Sequence, residues 1–156
     1  MNQTIEKSVS LAASPAEVWK TITEPQLMKS WMTGTGMDVE ITTNWKPGSP
    51  ITIRDLNHPG FENHGSVLHF EPHKLLSYTC LNSTLQLPDE AKNHTTLTFS
   101  LKANKKGTQL TLALCNFPTE AILEYMVSYW GPALEALKGT VAKSIKKHSK
   151  RPKAGV

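Results

Sequence analysis

The sequence predicts an α+β fold in which a curved antiparallel sheet of about seven strands wraps round a long C-terminal helix, with two short helices after the first strand. Three observations predict it. Residues 14–32 carry two helix start signals, residues 37–115 alternate apolar with polar side chains, and from Thr119 onward the apolar residues recur at helical spacing. A chain of 156 residues is long enough for one domain with a single core.

The first strand is predicted at residues 5–11, and the first short helix follows it. Ser14 is a typical N-cap, Pro15 suits the first helical position and Glu17 completes a capping box. Thr23 is predicted to cap the second helix, which we expect to end at residues 33–36. Apolar residues at spacings of three and four give each helix one inward face: Val18, Trp19 and Ile22 in the first, and Leu27, Met28, Trp31 and Met32 in the second.

The middle of the chain predicts a meander of half-buried strands. The inward residues of its clearer segments are Met37, Val39, Ile41, Ile51, Ile53, Leu68, Phe70, Leu97, Phe99, Leu101, Leu110, Leu112 and Leu114. Residues 104–107 predict a hairpin turn. In residues 74–81 both alternating sets are partly apolar, so the inward pair is left open between Tyr78 with Cys80 and Ser77 with Thr79.

A single long helix is predicted after Thr119. At 1.5 Å per residue, about 25 residues span some 38 Å and cross a whole sheet. We expect a kink at Gly131–Pro132, because proline removes a backbone hydrogen bond to Ser128. The residues of its sheet-facing side are Ile122, Met126, Trp130, Ala133, Leu134, Leu137 and Val141.

The positive charge is concentrated at the C-terminal end. Six of the 17 basic residues lie after Ala142, so the chain up to that point carries 11 basic and 13 acidic residues. We therefore predict a domain at residues 1–147, a basic flexible tail at residues 148–156, and no nucleic-acid partner, since such binding needs a basic face with aromatic residues in it.

Cellular location and redox state follow from equally simple features. The sequence has no run of about 18 apolar residues and no apolar signal-peptide core at its N-terminus, so we expect no membrane partner and a cytoplasmic location. Cys80 and Cys115 are too few for a disulfide framework, and we expect both to be reduced.

These segments resemble the START-like (SRPBCC) superfamily, the helix-grip fold of the birch-pollen allergen, and in particular the family named after the activator of heat-shock protein 90 ATPase homologue. The motifs that carry the resemblance occur in the order of that family and span nearly the whole chain. They are residues 14–19 (SPAEVW), residues 23–25 with Trp31, residues 46–48 (KPG), residues 65–68 (GSVL), residues 72–76 (PHKLL), and Trp130 with Leu134 and Leu137.

The resemblance implies a cavity between the sheet and the long helix. Three departures bear on the shape of that cavity: Trp31-Met32 where the family often has two tryptophans, residues 47–50 (PGSP) where it has paired glycines, and Thr79 where it has a tryptophan. The residues predicted to line the cavity are Trp31, Met32, Ile53, Leu68, Phe70, Thr79, Phe99, Leu112, Met126, Trp130 and Leu134.

We identify no catalytic residue and predict no metal and no cofactor. A zinc site needs converging ligands, whereas the histidines His58, His64, His69, His73 and His94 are spread over predicted loops, strands and a turn. An acid–base pair of Glu120 or Glu124 with His64 or His69 is conceivable, but nothing in the sequence sets the distance between the two groups.

Three functions remain, in order of preference. The first is binding of a small lipophilic molecule, the second is a chaperone-associated or other protein-partner module, and the third is a cyclase-like or hydrolase-like enzyme, because members of this fold serve all three. We expect a monomer or a weak homodimer.

Overall fold

The structure is a computed structural model that describes residues 3–33, 38–58 and 60–149. The α-helices are α1 (Pro15–Thr23), α2 (Pro25–Thr33) and α3 (Glu120–Ser149). The strands are β1 (Thr4–Leu11), β2 (Val39–Thr43), β3 (Pro50–Asp55), β4 (Glu62–Glu71), β5 (Leu75–Asn82), β6 (Thr95–Asn104) and β7 (Gly107–Cys115). Two short 3₁₀ turns, Ser83–Leu85 and Ala91–Asn93, lie between β5 and β6.

The strands form one seven-stranded sheet in the order β1-β7-β6-β5-β4-β3-β2, with every neighbouring pair antiparallel. Consecutive strands from β2 to β7 are neighbours, and β1 adds to the free edge of β7. This arrangement, with two short helices after β1 and one long final helix, confirms the predicted helix-grip fold. None of the helices in the described residues is long and apolar enough to cross a membrane.

The first helix start is confirmed, whereas the role predicted for Thr23 is wrong. The hydroxyl of Ser14 accepts a hydrogen bond from the backbone N–H of Glu17 at 3.2 Å. Thr23 is the last residue of α1, and its buried hydroxyl donates to the carbonyl of Trp19 at 2.7 Å instead of capping α2. Because that internal bond already uses the hydroxyl, α2 begins at Pro25 without it.

Helix α3 presents the predicted face to the sheet. Ile122, Trp130, Leu134, Leu137 and Val141 are buried. The helix continues through Pro132, which is exposed, as is Ser128. Water can therefore reach the carbonyl that proline leaves without a donor, which explains how the helix accommodates this residue.

Three predicted segments lie partly or wholly outside the described residues. Residues 34–36 and Met37, predicted to end α2 and to begin the second strand, lie outside the described residues. Strand β2 begins at Val39. The segment predicted as a tail at residues 148–156 begins inside α3, and residues 150–156 lie outside the described part of the chain.

The register of β5 answers the question that alternation left open. Tyr78 pairs with Leu97 and Cys80 pairs with Thr95, and these residues face α3. Ser77 lies on the other face of the sheet and shares a hydrogen bond of 3.1 Å with Thr98. We call the face that points to α3 the inner face and the opposite one the outer face.

Candidate functional site

A cavity of about 320 Å³ lies between the inner face of the sheet and α3. It is bounded by strands β3 to β6, by the connection from β5 to β6, by one residue of α2 and by the first half of α3. The lining residues are Met32, Ile53, Phe61, Asn63, Tyr78, Cys80, Asn82, Thr84, Leu85, Asn93, Thr95, Leu97, Pro118, Ala121, Ile122, Tyr125, Met126, Tyr129 and Trp130.

The lining is neutral throughout. Among the described residues that bound the cavity there is no Asp, Glu, Lys, Arg or His. Aromatic and aliphatic side chains form most of the wall, and the polar groups are amides, hydroxyls and one thiol. Such a wall has the composition of a small-molecule site, which is mostly apolar with a few placed polar groups.

The amide groups gather at one end of the cavity. Asn63 of β4 pairs directly with Asn82 of β5, and Asn93 lies just before β6. The start of β6 pairs with Cys115, close to where α3 begins. The amides therefore lie at the end of the cavity where the first turn of α3 forms the opposite wall.

In two of these side-chain amides, one of the two polar groups is already hydrogen-bonded within the protein. The side-chain oxygen of Asn82 accepts hydrogen bonds from the backbone N–H and the hydroxyl of Thr84, at 2.8 and 2.5 Å. The side-chain nitrogen of Asn93 donates to the carbonyl of Pro88 at 2.8 Å. A ligand is thus offered the amide N–H₂ of Asn82 as a donor and the amide oxygen of Asn93 as an acceptor.

The opposite end of the cavity is aromatic. The ring of Trp130 lies 6.0 Å from that of Trp31, 5.8 Å from that of Phe99 and 5.1 Å from that of Tyr129, measured between centroids. The orientation of the Trp31 ring is fixed by a hydrogen bond, because its indole N–H donates to the carbonyl of Thr21 at 2.9 Å. This cluster supplies a rigid apolar wall.

Burial keeps two ionisable groups of the wall neutral. It raises the pKa of the Tyr78 hydroxyl well above its usual range, with smaller contributions from Cys80 and Tyr129. It also raises the pKa of the Cys80 thiol to about 12. Neither group carries charge near pH 7, so the chemistry of the interior is that of neutral donors and acceptors.

The first turns of α3 form the accessible rim of the cavity. Tyr125 is 48% exposed, and its ring stacks on that of Tyr129 with centroids 6.1 Å apart. Ala121, one turn earlier, is also exposed. A ligand that enters beside these residues passes the amides before it reaches Trp130.

The residues predicted from the sequence to line the cavity fall into three groups in the structure. Met32, Ile53, Met126 and Trp130 are at the cavity wall. Trp31, Phe99, Leu112 and Leu134 are buried in the core behind the wall, and Phe70 packs between Trp19 and Trp45. The last two, Leu68 and Thr79, are not at the cavity wall. Leu68 is 40% exposed at the shift of register between Val67 and His69 in β4. The Thr79 hydroxyl accepts a hydrogen bond from the backbone N–H of Ser66.

The sequence reasoning missed the polar end of the cavity. Asn63, Asn82 and Asn93 are polar residues close to strand ends, where asparagine commonly serves in turns. The pairing of β4 with β5 shows that Asn63 and Asn82 face inward, and the position of the connection before β6 shows the same for Asn93. Phe61, Tyr125 and Tyr129 were also missed, because they lie in a loop or beside the predicted helix face.

The histidines are partly brought together. His64 and His94 both contact Asp89 on the outer face, at 3.2 and 2.6 Å. His58 binds the carboxylate of Asp55 at 2.8 Å in the loop after β3. His69 and His73 join neither pair.

The acid–base pair considered from the sequence is not formed in the described part of the chain. Glu120 and Glu124 are exposed on α3 and make no ion pair with a histidine there. His64 and His94 pair instead with Asp89, on the face of the sheet away from α3. The described lining of the cavity therefore contains no carboxylate and no imidazole.

Comparison with known proteins identifies one protein family and solved structures with the same fold. The profile of the family described as "Activator of Hsp90 ATPase homolog 1-like protein" matches residues 12–142. The solution structure of a protein from Cytophaga hutchinsonii is 24% identical with a TM-score of 0.75, covering 94% of this chain and 98% of that one. No curated protein sequence matches this chain significantly.

Two further solved structures have the same fold. A crystal structure of a protein from Nitrosomonas europaea is 22% identical with a TM-score of 0.73, covering 90% of this chain and 95% of that one. The solution structure of the Aha1 dimer from Colwellia psychrerythraea is 19% identical with a TM-score of 0.70, covering 89% and 96%. Identities this low support the fold and leave the function to be argued from the cavity.

Proposed function

Because this chain belongs to the activator of Hsp90 ATPase homolog 1-like family, whose fold also serves as a ligand-binding domain, we propose that it binds a small, uncharged, lipophilic molecule in the cavity under α3. The observation that supports this most strongly is the neutral, largely apolar lining of an open volume of about 320 Å³. The ligand enters beside Tyr125 and places its polar group at the asparagines.

The absence of charge from the described lining selects the class of ligand. A carboxylate or ammonium group moved from water into such a site loses its hydration and gains no opposite charge, which costs several kcal/mol or more. Transfer of a carbonyl, hydroxyl or amide costs much less free energy, because hydrogen bonds to Asn82 and Asn93 can take the place of the bonds that the group made to water. Neutral compounds with one polar end are therefore favoured over fatty acids and other anions.

The size of the cavity favours a compact ligand with moderate affinity. Its volume lies at the low end of the roughly 300–1,000 Å³ typical of small-molecule sites. Removing about 300 Å² of ligand surface from water, at roughly 25 cal/mol per Å², contributes about 7 kcal/mol before association costs. We expect micromolar dissociation constants once those costs are included.

The test compares wild type with two variants in which an alanine of α3 is replaced by phenylalanine. In Ala121→Phe a ring is added at the rim of the cavity, and in the control Ala142→Phe the same ring is added at an exposed position outside the cavity wall. Freshly purified protein is examined by native mass spectrometry for a retained molecule. It is then titrated calorimetrically with flat neutral compounds and with their carboxylated analogues.

Saturable binding of at least one neutral compound, lost in Ala121→Phe and kept in Ala142→Phe, supports the proposal. Trp130 emission gives an independent signal, because its indole lies at the inner end of the cavity. If no neutral compound binds, or if both variants bind equally well, the ligand-binding proposal is wrong.

The second candidate is a protein-partner module. It is favoured by the family to which the chain belongs and by the neighbour described as an Aha1 dimer. Sedimentation of the purified chain, alone and with a purified Hsp90 chaperone, distinguishes a monomer, a weak homodimer and a stoichiometric complex. The enzyme alternative gains no support, since the described cavity wall offers neither a carboxylate nor an imidazole.

A further inference from the structure

Two histidines and an aspartate converge on the outer face of the sheet, away from the cavity. The Nε2 atoms of His64 and His94 lie 3.2 and 2.6 Å from the two carboxylate oxygens of Asp89. One ligating atom from each residue lies within 4.8 Å of those of the other two. The two imidazole rings stand nearly perpendicular, at 82°, with centroids 5.9 Å apart.

Alternation along the strands places this group on the outer face. Asn63 and Asn82 form a directly opposite pair and both face the cavity. The next pair along, His64 with Leu81, therefore points outward. Thr95 at the start of β6 faces the cavity, and His94 precedes it with extended backbone, so His94 points to the same outer side as His64. Leu81 is buried although it lies on the outer face.

The segment that carries Asp89 and His94 is held by several hydrogen bonds. Asn93 ties it at Pro88, and the N–H groups of Glu90 and Asn93 bond to carbonyls within it. From the other side the amide nitrogen of Asn116, at the end of β7, donates to the carbonyl of His94 at 2.6 Å. Asp89 and His94 thus lie on a hydrogen-bonded segment and His64 lies on strand β4, which lowers the entropy cost of using the three side chains together as ligands.

We propose that His64, Asp89 and His94 bind one divalent transition-metal ion, with zinc as the reference case. Imidazole nitrogen and carboxylate oxygen are ligands that zinc accepts at about 2.0–2.2 Å. Tetrahedral geometry at that radius separates neighbouring ligand atoms by about 3.3 Å. The two histidine–aspartate contacts already lie within about 1 Å of that spacing, and no pair of ligand atoms, at 4.8 Å or less, has to close by more than about 1.5 Å. Three protein ligands leave a fourth position for water.

The site departs from the sequence expectation of no metal, because sequence spacing did not show that His64 of β4 meets Asp89, 25 positions later in the connection between β5 and β6. It has one unfavourable feature. An imidazole that binds metal through Nε2 carries its proton on Nδ1, and the Nδ1 of His94 is buried with no hydrogen-bond partner in the described residues. Metal-binding histidines usually have one, so we expect micromolar affinity.

A metal ion at this site would link His64 of β4 to Asp89 and His94 of the connection between β5 and β6. That connection also supplies Thr84, Leu85 and Asn93 to the cavity wall. The site itself needs no cavity ligand. Its test is therefore independent of the proposed function, and either proposal can fail without the other.

The experiment uses the full chain without an affinity tag of histidines. Zinc, cobalt and nickel are titrated by calorimetry, and the visible spectrum of the cobalt form reports nitrogen and oxygen ligands. The variants are His64→Ala, Asp89→Asn and His94→Ala, with His69→Ala as the matched control, because His69 is an exposed histidine of the same strand. Far-UV circular dichroism checks the fold of each.

We expect one equivalent of metal to bind wild type and His69→Ala with the same affinity and to raise their melting temperature by mass action. His64→Ala should lose more than about 100-fold in affinity, since losing an outer-shell partner alone costs roughly 10- to 100-fold. His94→Ala and Asp89→Asn should behave alike. Absence of stoichiometric binding, or an equal loss in His64→Ala and His69→Ala, overturns the proposal; the partly exposed His64 keeps the test valid even if His94→Ala does not fold.

Discussion

Asn93 and His94 are consecutive residues that serve opposite faces of the sheet: Asn93 lines the cavity, and His94 hydrogen-bonds to Asp89 on the outer face. The same division holds for Asn63 and His64 on β4. Strand β4 and the connection that leads into β6 thus each contribute to both the proposed ligand site and the proposed metal site.

Replacement of Leu137 by aspartate should unfold the domain, whereas the same replacement of Lys138 should not. Leu137 is fully buried on the sheet-facing side of α3, and its neighbour Lys138 is exposed. A buried, unpaired carboxylate costs several kcal/mol, while the surface change stays within about 0.5 kcal/mol. Thermal melting of both variants checks this, and similar melting temperatures would contradict the assigned helix face.

Gly107→Ala should be strongly destabilising and Gly139→Ala neutral or stabilising. Gly107 has a φ of 139°, and a Cβ atom there would lie 2.3 Å from the carbonyl oxygen of Leu11. Gly139 lies inside α3 with no atom near its would-be Cβ, so alanine gains up to about 1 kcal/mol of helix propensity. For Gly107→Ala we expect a loss above about 2 kcal/mol in urea unfolding; a loss below that would show that the turn can shift.

Cys80 should resist alkylation in the folded protein. Burial raises the pKa of its thiol to about 12 from an ordinary value of 9.0, so at pH 8 the reactive thiolate is roughly a thousandfold scarcer than in the unfolded chain. Iodoacetamide labelling followed by peptide mass mapping, with and without urea, measures the ratio. Labelling of Cys80 at similar rates in both states would mean that water fills the cavity around it.

Asp55 should stabilise the fold at neutral pH and lose that effect in acid. Burial raises the pKa of its carboxyl, but the hydrogen bonds from His58 and from the N–H groups of Asn57 and Asp38 together lower it below the ordinary 3.8. A lowered folded-state pKa gives stability that is present above 3.8 and is lost as the pH falls through the folded value.

The variant Asp55→Asn tests this dependence. It should be less stable than wild type by about 1 kcal/mol at pH 7, and the difference should shrink on acidification below pH 4. Glu40→Gln on the exposed face of β2 is the control and should show little change at either pH. A difference between wild type and Asp55→Asn that stays constant down to pH 2 would contradict the role given to Asp55.

The elements of the fold were predictable because each has a local cause. Ser14, Pro15 and Glu17 begin α1 through contacts within one turn, and the face from Ile122 to Val141 follows from helical spacing alone. Thr23 was assigned the wrong hydrogen-bond partner. Its position in the sequence suits both a cap on α2 and an internal bond of α1, and its buried hydroxyl makes the second, to the carbonyl of Trp19.

The cavity wall was predicted only in part, and the reason lies in how the sheet is paired. Met32, Ile53, Met126 and Trp130 were found because apolar residues on inward faces are expected there. Asn63, Asn82 and Asn93 carry no such signal. Asn63 and Asn82 reach the cavity because β4 pairs with β5 in one particular register, which no local pattern in residues 74–81 could select. Asn93 reaches it from the connection that leads into β6.

What the sequence by itself determined is the order and type of the elements, the apolar face of α3, and hence the helix-grip fold, since these depend on contacts between residues a few positions apart. Only the tertiary structure decided which polar residues share a site. The amides of the cavity and the triad of His64, Asp89 and His94 are each assembled from segments that lie apart in the chain. Strand register and the packing of the connection between β5 and β6 bring them together, and both depend on the whole sheet closing around α3.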